Sequence, residues 1–147
     1  MLRNSCNHPA KTEEMSPTPD HGEESYRGNG KLENKIAIIT GADSGIGRAV
    51  AIAFAREGCD IVLSYLNEHE DAENTADWVR KAGRKAIVVS GNIKSEDHCK
   101  ALVGRAVGEF SRVDILVNNA AFQRTYGDIA GHRKVNRTRH SICDEWV

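Results

Sequence analysis

Between residues 35 and 121, short apolar runs alternate with segments in which apolar residues recur every three or four positions. The runs are IAIIT (36–40), DIVLSY (60–65), AIVVSG (86–91) and VDILVNN (113–119). Short runs rich in β-branched residues and bounded by turn residues are typical of strands buried on both faces. The sequence therefore predicts four strands in the core of one domain.

The three segments between these runs have the spacing of amphipathic helices. Small or apolar residues fall at positions 46, 50, 53 and 54, then at 72, 75, 76 and 79, and then at 102, 103, 106, 107 and 110. Gly58 and Gly83 are helix stop signals, and Ser95 is a good N-cap for the third helix.

A β-α-β-α-β-α-β order with short connections predicts an α/β fold. The expected architecture is a partial doubly wound (Rossmann-type) parallel sheet of about four strands with flanking helices. Right-handed crossovers place the first two helices on one face of the sheet and the third helix on the other.

The two ends of the chain differ from this repeat. Residues 1–34 carry all three prolines, many charges and few aliphatic residues, so we expect a flexible leader, with Met15 as an alternative start. Residues 122–147 include GHRKVNRTRHSICDEWV, which fits neither the helical nor the strand period. We expect an irregular, non-native tail there.

The stretch IITGADSGIGRA (38–49) contains three glycines between the first strand and the first helix. Gly41 permits a sharp turn, Gly45 permits close approach of the backbone to a pyrophosphate, and Gly47 permits close packing of the helix. A structural turn without a ligand is the alternative, but the strand before the loop and the helix after it favour a phosphate-binding loop.

The helix is expected to begin near Ile46, which directs its free N–H groups and its positive dipole end towards the phosphates. Asp43 and Ser44 lie inside the loop, where a side-chain hydroxyl and backbone donors can assist. These residues complete the predicted phosphate-binding site.

Two motifs in this order resemble a known family. TGADSGIG resembles the T-G-x-x-x-G-x-G loop of the short-chain dehydrogenase/reductase family, and DILVNNAA (114–121) resembles its N-N-A-G segment, with Ala121 in place of the glycine. The leader resembles that of bacterial glucose/ribitol-dehydrogenase-like members. The resemblance covers about residues 13 to 130, and it implies an oxidoreductase that uses NAD or NADP.

The resemblance also implies roles for individual residues. It implies a pyrophosphate loop at Gly41, Ser44, Gly45, Ile46 and Gly47, an adenine contact at Asn92 and Ile93, and a nucleoside-lining segment at Asn119 and Ala120. Asn92 stands where the family usually has aspartate, so its amide oxygen would accept from the adenine amino group without charge assistance. For Asn118 and Asn119, hydrogen bonding at the strand end alone is the alternative.

The end of the second strand bears on the choice of cofactor. An NAD site usually has an acidic residue there to bind the ribose 2′-OH. In this chain Ser64, Tyr65 and Asn67 occupy the region, and the first carboxylate is Glu68. We therefore predict NADP in preference to NAD. Arg48 would add positive charge near a 2′-phosphate, with an ordinary exposed helix arginine as the alternative.

Catalysis in this family rests on a serine and a Tyr-x-x-x-Lys pair, and neither can be matched here. The residues four positions after Tyr26, Tyr65 and Tyr126 are Gly30, His69 and Ala130, and none of them is lysine. The family pattern stops near Ala130, so we interpret the chain as truncated before its catalytic residues and inactive alone, with a frameshift as the hypothesis for the cause.

Truncation would leave the fourth strand as an apolar edge and remove the helices through which full-length relatives form homo-oligomers. We expect marginal stability and poor solubility. The alternative function is a non-catalytic dinucleotide-binding or regulatory module that pairs with intact homologues through the open edge.

Composition excludes several other classes. Lys and Arg number 20 against 21 Asp and Glu, so no nucleic-acid partner is indicated. The longest aliphatic run, Ile36–Ile39, is too short to span a membrane, and no secretory signal is visible. The four cysteines form no C-x-x-C pair, which favours reduced thiols and a cytoplasmic location. His132, His140 and Cys143 match no standard metal site, so no metal is expected.

Overall fold

The computed structural model describes residues 16–17 and 19–121. Its elements, in order, are β1 (Ile36–Thr40), α1 (Gly45–Arg56), β2 (Asp60–Tyr65), α2 (His69–Lys81), β3 (Ala86–Ser90), α3 (Glu96–Phe110) and β4 (Ile115–Val117). The predicted α/β order is confirmed. The expectations for Met15, for the tail over 122–147 and for His132, His140 and Cys143 concern residues outside the described part.

Strand β4 is shorter than the predicted run over 113–119. Its ladder with β1 extends from the pair Ala37↔Ile115 to the pair Ile39↔Val117. Beyond it, the Asn119 amide donates to the Thr40 hydroxyl and to the carbonyl of Val117 in its own strand, each at 3.1 Å. Because neither acceptor is a main-chain carbonyl of β1, the ladder does not continue to Asn119.

All four strands are parallel and follow the order β3-β2-β1-β4. The chain builds outward from β1 to β3, and α3 then returns it to the other side of β1. Because of this reversal, the connections after β1 and β3 leave the carboxyl edge of the sheet in opposite directions. Ligands of open α/β sheets bind in the crevice at such a point.

Two hydrophobic layers cover the sheet, as predicted from the crossover rule. Helices α1 and α2 pack through Ala51, Ala55, Ala76 and Val79 on the face that contains Ile39 and Leu63. Helix α3 packs through Cys99, Leu102 and Ala106 on the face that contains Ile38 and Val62. The central strands are buried, whereas β4, at the edge of the described sheet, is half-buried throughout.

Residues 20–34, which we call the strap, lie against the carboxyl end of α1. Tyr26 donates its hydroxyl hydrogen to Glu57, and the amides of Asn29 and Lys31 donate to Glu57 Oε2 at 3.0 and 2.9 Å. The Arg56 guanidinium donates to the carbonyl of Tyr26. The hydrophobic pattern did not indicate these contacts because they are polar and largely main-chain.

The buried cysteines and the character of the helices are two further features of the fold. Cys59 and Cys99 are buried cysteines, and desolvation raises the pKa of the Cys59 thiol to about 12. Within the described residues, no helix combines the length and the apolar character that a membrane crossing requires.

Candidate functional site

The loop between β1 and α1 requires glycine at three positions for different reasons. Gly41 and Gly45 have φ of +63° and +52°, which side chains disfavour. A Cβ at Gly47 would overlap the carbonyl oxygen of Gly41 and lie 2.6 Å from Asn119 Nδ2. A Cβ at Gly45 would meet nothing within 4 Å, so the loop is open at that residue alone of the three.

The amino end of α1 has donors available at this opening. The first amide in the helix with an internal acceptor is that of Arg48, which donates to the Ser44 carbonyl at 3.2 Å. Within the described residues the amides of Gly45, Ile46 and Gly47 have no acceptor. Ser44, the N-cap residue, makes no side-chain cap and donates instead to Asp43 Oδ2 at 3.1 Å. Unpaired amides at an exposed helix start fit an anionic group.

A hydrogen-bonded clamp joins the loop to the end of β4. The Thr40 hydroxyl accepts from the amides of Asn119 and Ala120 at 3.1 Å each and donates to the Val117 carbonyl at 3.3 Å. Asn119 Nδ2 donates to the carbonyls of Thr40 and Gly41 at 3.1 and 2.9 Å. The donors of the Asn119 carboxamide are therefore engaged in bracing the loop.

Thr40 was not among the residues singled out from the sequence, although it directly precedes the first glycine. The signal was its polar side chain at the end of an otherwise aliphatic strand. Its burial is complete, and only the fold reveals that β4 supplies its partners.

The loop is also fastened to β2 and α2. The Ala42 amide donates to the Ser64 carbonyl at 3.2 Å. The buried Thr75 hydroxyl lies 3.0 Å from the carbonyl of Asp71 and 3.4 Å from that of Asp43. These contacts fix the loop from the side opposite β4.

At the end of β2, the two side chains that the sequence predicted to lie beside the cofactor, Ser64 and Tyr65, are enclosed in the protein. Ser64 is fully buried, and within the described residues its hydroxyl has no hydrogen-bond partner. Tyr65 is 7% exposed, and its hydroxyl lies 2.6 Å from His69 Nδ1. Both side chains are enclosed because β2 is covered on both faces. The first exposed side chain after the strand is Leu66, followed by Asn67.

Arg48 is neither an exposed arginine nor an uncommitted cation. Its Nε donates to Glu23 Oε1 at 2.9 Å, and its guanidinium also donates to Asn74 Oδ1 at 3.1 Å. The side chain is only 11% exposed. The strap therefore compensates the positive charge that the sequence placed near the loop.

The third connection brings Asn92 and Ile93 to the same edge of the sheet. The Gly91 amide donates to the Tyr65 carbonyl at 2.9 Å, which sets the end of β3 beside the end of β2. Asn92 is exposed, and its Oδ1 accepts from the Lys94 amide at 3.0 Å. Ile93 is half-buried in the α3 layer. The carboxyl edge of the sheet thus gathers every residue predicted to touch a cofactor, although Ser64 and Tyr65 are closed to solvent.

Comparison with known proteins shows which proteins this chain is similar to. The family model described as short chain dehydrogenase matches residues 35–139. An uncharacterized oxidoreductase of Bacillus subtilis, YhdF, is 49% identical over 121 residues, which are 82% of this chain and 42% of the relative.

Two plant relatives have more specific names. Glucose and ribitol dehydrogenase of Daucus carota is 39% identical, and NADPH-dependent aldehyde reductase 1 of Arabidopsis thaliana is 36% identical. Each match covers 78% of this chain and 42% of the relative. The chain therefore spans about two fifths of the length of these curated relatives.

Solved structures agree with the sequence matches. A short chain dehydrogenase from Mycobacterium smegmatis is 31% identical, with a TM-score of 0.61 over 66% of this chain and 41% of that one. Carveol dehydrogenase from Mycobacterium avium, solved in complex with NAD, is 31% identical, with a TM-score of 0.59 over 63% of this chain and 37% of that one.

Proposed function

This chain belongs to the short-chain dehydrogenase family, and we propose that it holds the dinucleotide half of an NADP(H)-dependent oxidoreductase. The complete reaction would transfer a hydride between NADP(H) and a carbonyl or alcohol substrate. The described residues would supply the cofactor half of that site. Membership of this family supports a dinucleotide as the ligand of these residues.

The observation that carries the proposal is the amino end of α1. Three consecutive amides have no acceptor among the described residues, and the loop is open at the first of them, where a Cβ on Gly45 would touch nothing within 4 Å. The pyrophosphate of a dinucleotide would supply the missing acceptors and would lie at the positive end of the helix dipole. Asn92 and Ile93 would lie beside the adenine, at the end of β3.

Two glycines of the same kind provide the test. Gly45 and Gly83 both have positive φ, and a Cβ at either would meet nothing within 4 Å. Alanine at each should cost similar backbone strain, about 1 kcal/mol of unfolding free energy. We expect Gly45→Ala to weaken NADPH binding at least tenfold in isothermal titration calorimetry, and Gly83→Ala to leave it unchanged. Equal affinity of the two variants would refute the proposed phosphate loop.

We propose a preference for NADP because residues 64–67, SYLN, offer no carboxylate at the end of β2. Arg48 does not support the preference, since Glu23 already compensates its charge. The test places a carboxylate at the first exposed position after β2. Leu66→Asp should weaken NADPH binding and improve NADH binding relative to Leu66→Asn, the neutral variant of the same shape. A wild-type protein that binds NADH more tightly than NADPH would overturn the preference.

We further propose that these 147 residues bind the cofactor without turning it over, because no tyrosine among them is followed by lysine four positions later. An NADPH-oxidation assay with a panel of sugars and aldehydes tests this, using protein whose cofactor binding has first been demonstrated. Any saturable oxidation that Gly45→Ala abolishes would show that the chain catalyses the reaction by itself.

A non-catalytic module that pairs with intact homologues is the second candidate, and the position of β4 favours it. Within the described sheet β4 is an edge strand with half-buried apolar residues. Such an edge can pair with another chain. Co-purification with a full-length family member, lost on an Ile115→Lys substitution, would support this role, and separate elution would count against it.

A further inference from the structure

A cavity lies at the opposite end of α1 from the glycine loop. Its volume is about 250 Å³, and it is lined by Arg27, Gly28, Arg56, Trp78, Lys81 and Ala82. The strap forms one wall, and the carboxyl ends of α1 and α2 form the others. Because α1 has 12 residues, roughly 18 Å of helix separate this cavity from the glycine loop.

The lining contains three cationic side chains and no carboxylate. Arg56 donates to the main-chain carbonyls of Tyr26 and Glu23, so its charge is held in place without a counter-ion. Lys81 Nζ lies 4.1 Å from the centroid of the Trp78 ring, which positions it by a cation–π contact. Among the described residues, no ion pair involves Arg27, Arg56 or Lys81.

Glu57 follows Arg56 in the chain but is not part of the lining, and its carboxylate is bonded to Tyr26 and to the amides of Asn29 and Lys31. The carboxyl ends of α1 and α2 carry roughly half a negative charge each, so the lining and the two helix ends together keep an excess of about two positive charges. Like charges that converge on one cavity repel, and an anion between them would remove that repulsion.

We propose that this cavity binds a compact oxyanion with at least two negative charges, of the phosphate or carboxylate class. Drug-sized ligands occupy cavities of about 300–1,000 Å³, so a volume of about 250 Å³ fits a smaller ligand. Arg56 is the fixed charge of the site, and the exposed Arg27 and Lys81 close on the anion from opposite walls. The site is separate from the dinucleotide loop and does not depend on the proposed oxidoreductase function.

Trp78 lines the cavity and provides a local probe. The chain has two tryptophans, so a Trp146→Phe protein reports Trp78 alone. We expect its fluorescence to change saturably on titration with pyrophosphate or citrate at constant ionic strength. Arg27→Gln and Lys81→Gln should each weaken binding about tenfold or more, because each removes a charged hydrogen-bond donor. Arg27→Lys should retain most of the affinity.

Arg105→Gln is the matched control. Arg105 is exposed on α3, on the other face of the sheet, so its loss changes the net charge equally without altering the cavity. Gly45→Ala should also leave the Trp78 response unchanged, which separates this site from pyrophosphate bound at the loop. Circular dichroism verifies that each variant is folded.

The outcomes decide between ligand classes. Saturation by pyrophosphate alone assigns phosphates, saturation by citrate alone assigns carboxylates, and saturation by both assigns their shared chemistry. Absence of saturation with either anion overturns the proposal. A loss in Arg105→Gln equal to that in Arg27→Gln does so too, because it would show non-specific charge attraction.

Discussion

The two ends of helix α1 differ in how their polar groups are satisfied. At the amino end, Gly45, Ile46 and Gly47 present amides without acceptors among the described residues, and Ser44 does not cap them. At the carboxyl end, the Glu57 carboxylate accepts three hydrogen bonds from the strap. The Glu57 carboxylate is satisfied within its own chain, whereas the three amides have no acceptor among the described residues.

This difference separates the proposed binding role of the three amides from the structural role of Glu57. Glu57 is charged and 5% exposed, but its carboxylate accepts hydrogen bonds from Tyr26, Asn29 and Lys31. The three amides are neutral, yet they are the groups available to bind a ligand, because no acceptor among the described residues pairs with them. Unsatisfied hydrogen-bond donors therefore mark the amino end of α1 as the proposed dinucleotide site, whereas the anion proposed for the cavity beside Trp78 would bind through side-chain charge. Four substitutions test this contrast, from the largest expected effect to the smallest.

The first substitution breaks the amino end by steric overlap. A Cβ at Gly47 would overlap the Gly41 carbonyl oxygen, which is held in place by a hydrogen bond from Asn119 Nδ2 at 2.9 Å. We expect Gly47→Ala to lower the free energy of unfolding by about 3 kcal/mol in urea denaturation. Gly108→Ala is the control, because a Cβ in that part of α3 meets nothing and alanine should stabilise the helix by up to about 1 kcal/mol. Equal stability of the two variants would show that the loop is not tightly packed.

The second substitution removes the clamp behind the loop. Thr40→Val keeps the shape of the side chain but leaves the Ala120 amide without its acceptor and the Asn119 amide with the Val117 carbonyl alone. We expect a loss of about 2 kcal/mol of unfolding free energy, because a donor is left unsatisfied and the buried hydroxyl no longer joins the two strand ends. Thr40→Ser keeps the hydroxyl and should lose less than Thr40→Val. The reverse order would show that the methyl group, not the hydroxyl, matters.

The third substitution separates the strap from the carboxyl end. A Cβ at Gly28 would overlap the Arg56 carbonyl oxygen and lie 2.9 Å from the Glu57 nitrogen. We expect Gly28→Ala to cost about 1 kcal/mol, less than Gly47→Ala, because the exposed strap can move away. Trypsin should cut after Arg27 and Lys31 faster in this variant than in Gly104→Ala, whose Cβ meets nothing. Unchanged cleavage would contradict the packing of the strap on α1.

The fourth substitution tests how the stabilisation by Glu57 at the carboxyl end of α1 depends on pH. The hydrogen bond from Tyr26, followed by those from the Lys31 and Asn29 amides, lowers the pKa of Glu57 from 4.5 to about 2. Its stabilisation is therefore complete above pH 4.5 and is lost as the pH falls towards 2. We expect Glu57→Gln to lower the melting temperature by several degrees at pH 7, with the difference from wild type disappearing near pH 2.

Glu109→Gln, an exposed carboxylate on α3, is the control for that measurement and should leave the melting temperature nearly unchanged. A constant difference between wild type and Glu57→Gln from pH 6 to pH 2.5 would show that the charge of Glu57 does not hold the strap.

The sequence predicted the repeat of strands and helices because buried parallel strands and amphipathic helices have distinct apolar periods. It also identified the glycines of the loop, since only glycine combines positive φ with close backbone approach. It did not predict that Ser64 and Tyr65 would be enclosed, because their burial depends on which helices cover β2. The sequence also left open whether Arg48 would be exposed or would face the cofactor, because its partner Glu23 lies 25 residues away in the chain.

By itself, the sequence determined the α/β order, the position of the glycine loop and the family, all of which depend on local periodicity and short motifs. Only the tertiary structure decided that Thr40 and Asn119 brace the loop, that the strap completes the far end of α1, and that three cations converge beside Trp78. Those arrangements join residues that are distant in the chain. Their hydrogen bonds and charges have no sequence period, so packing alone brings them together.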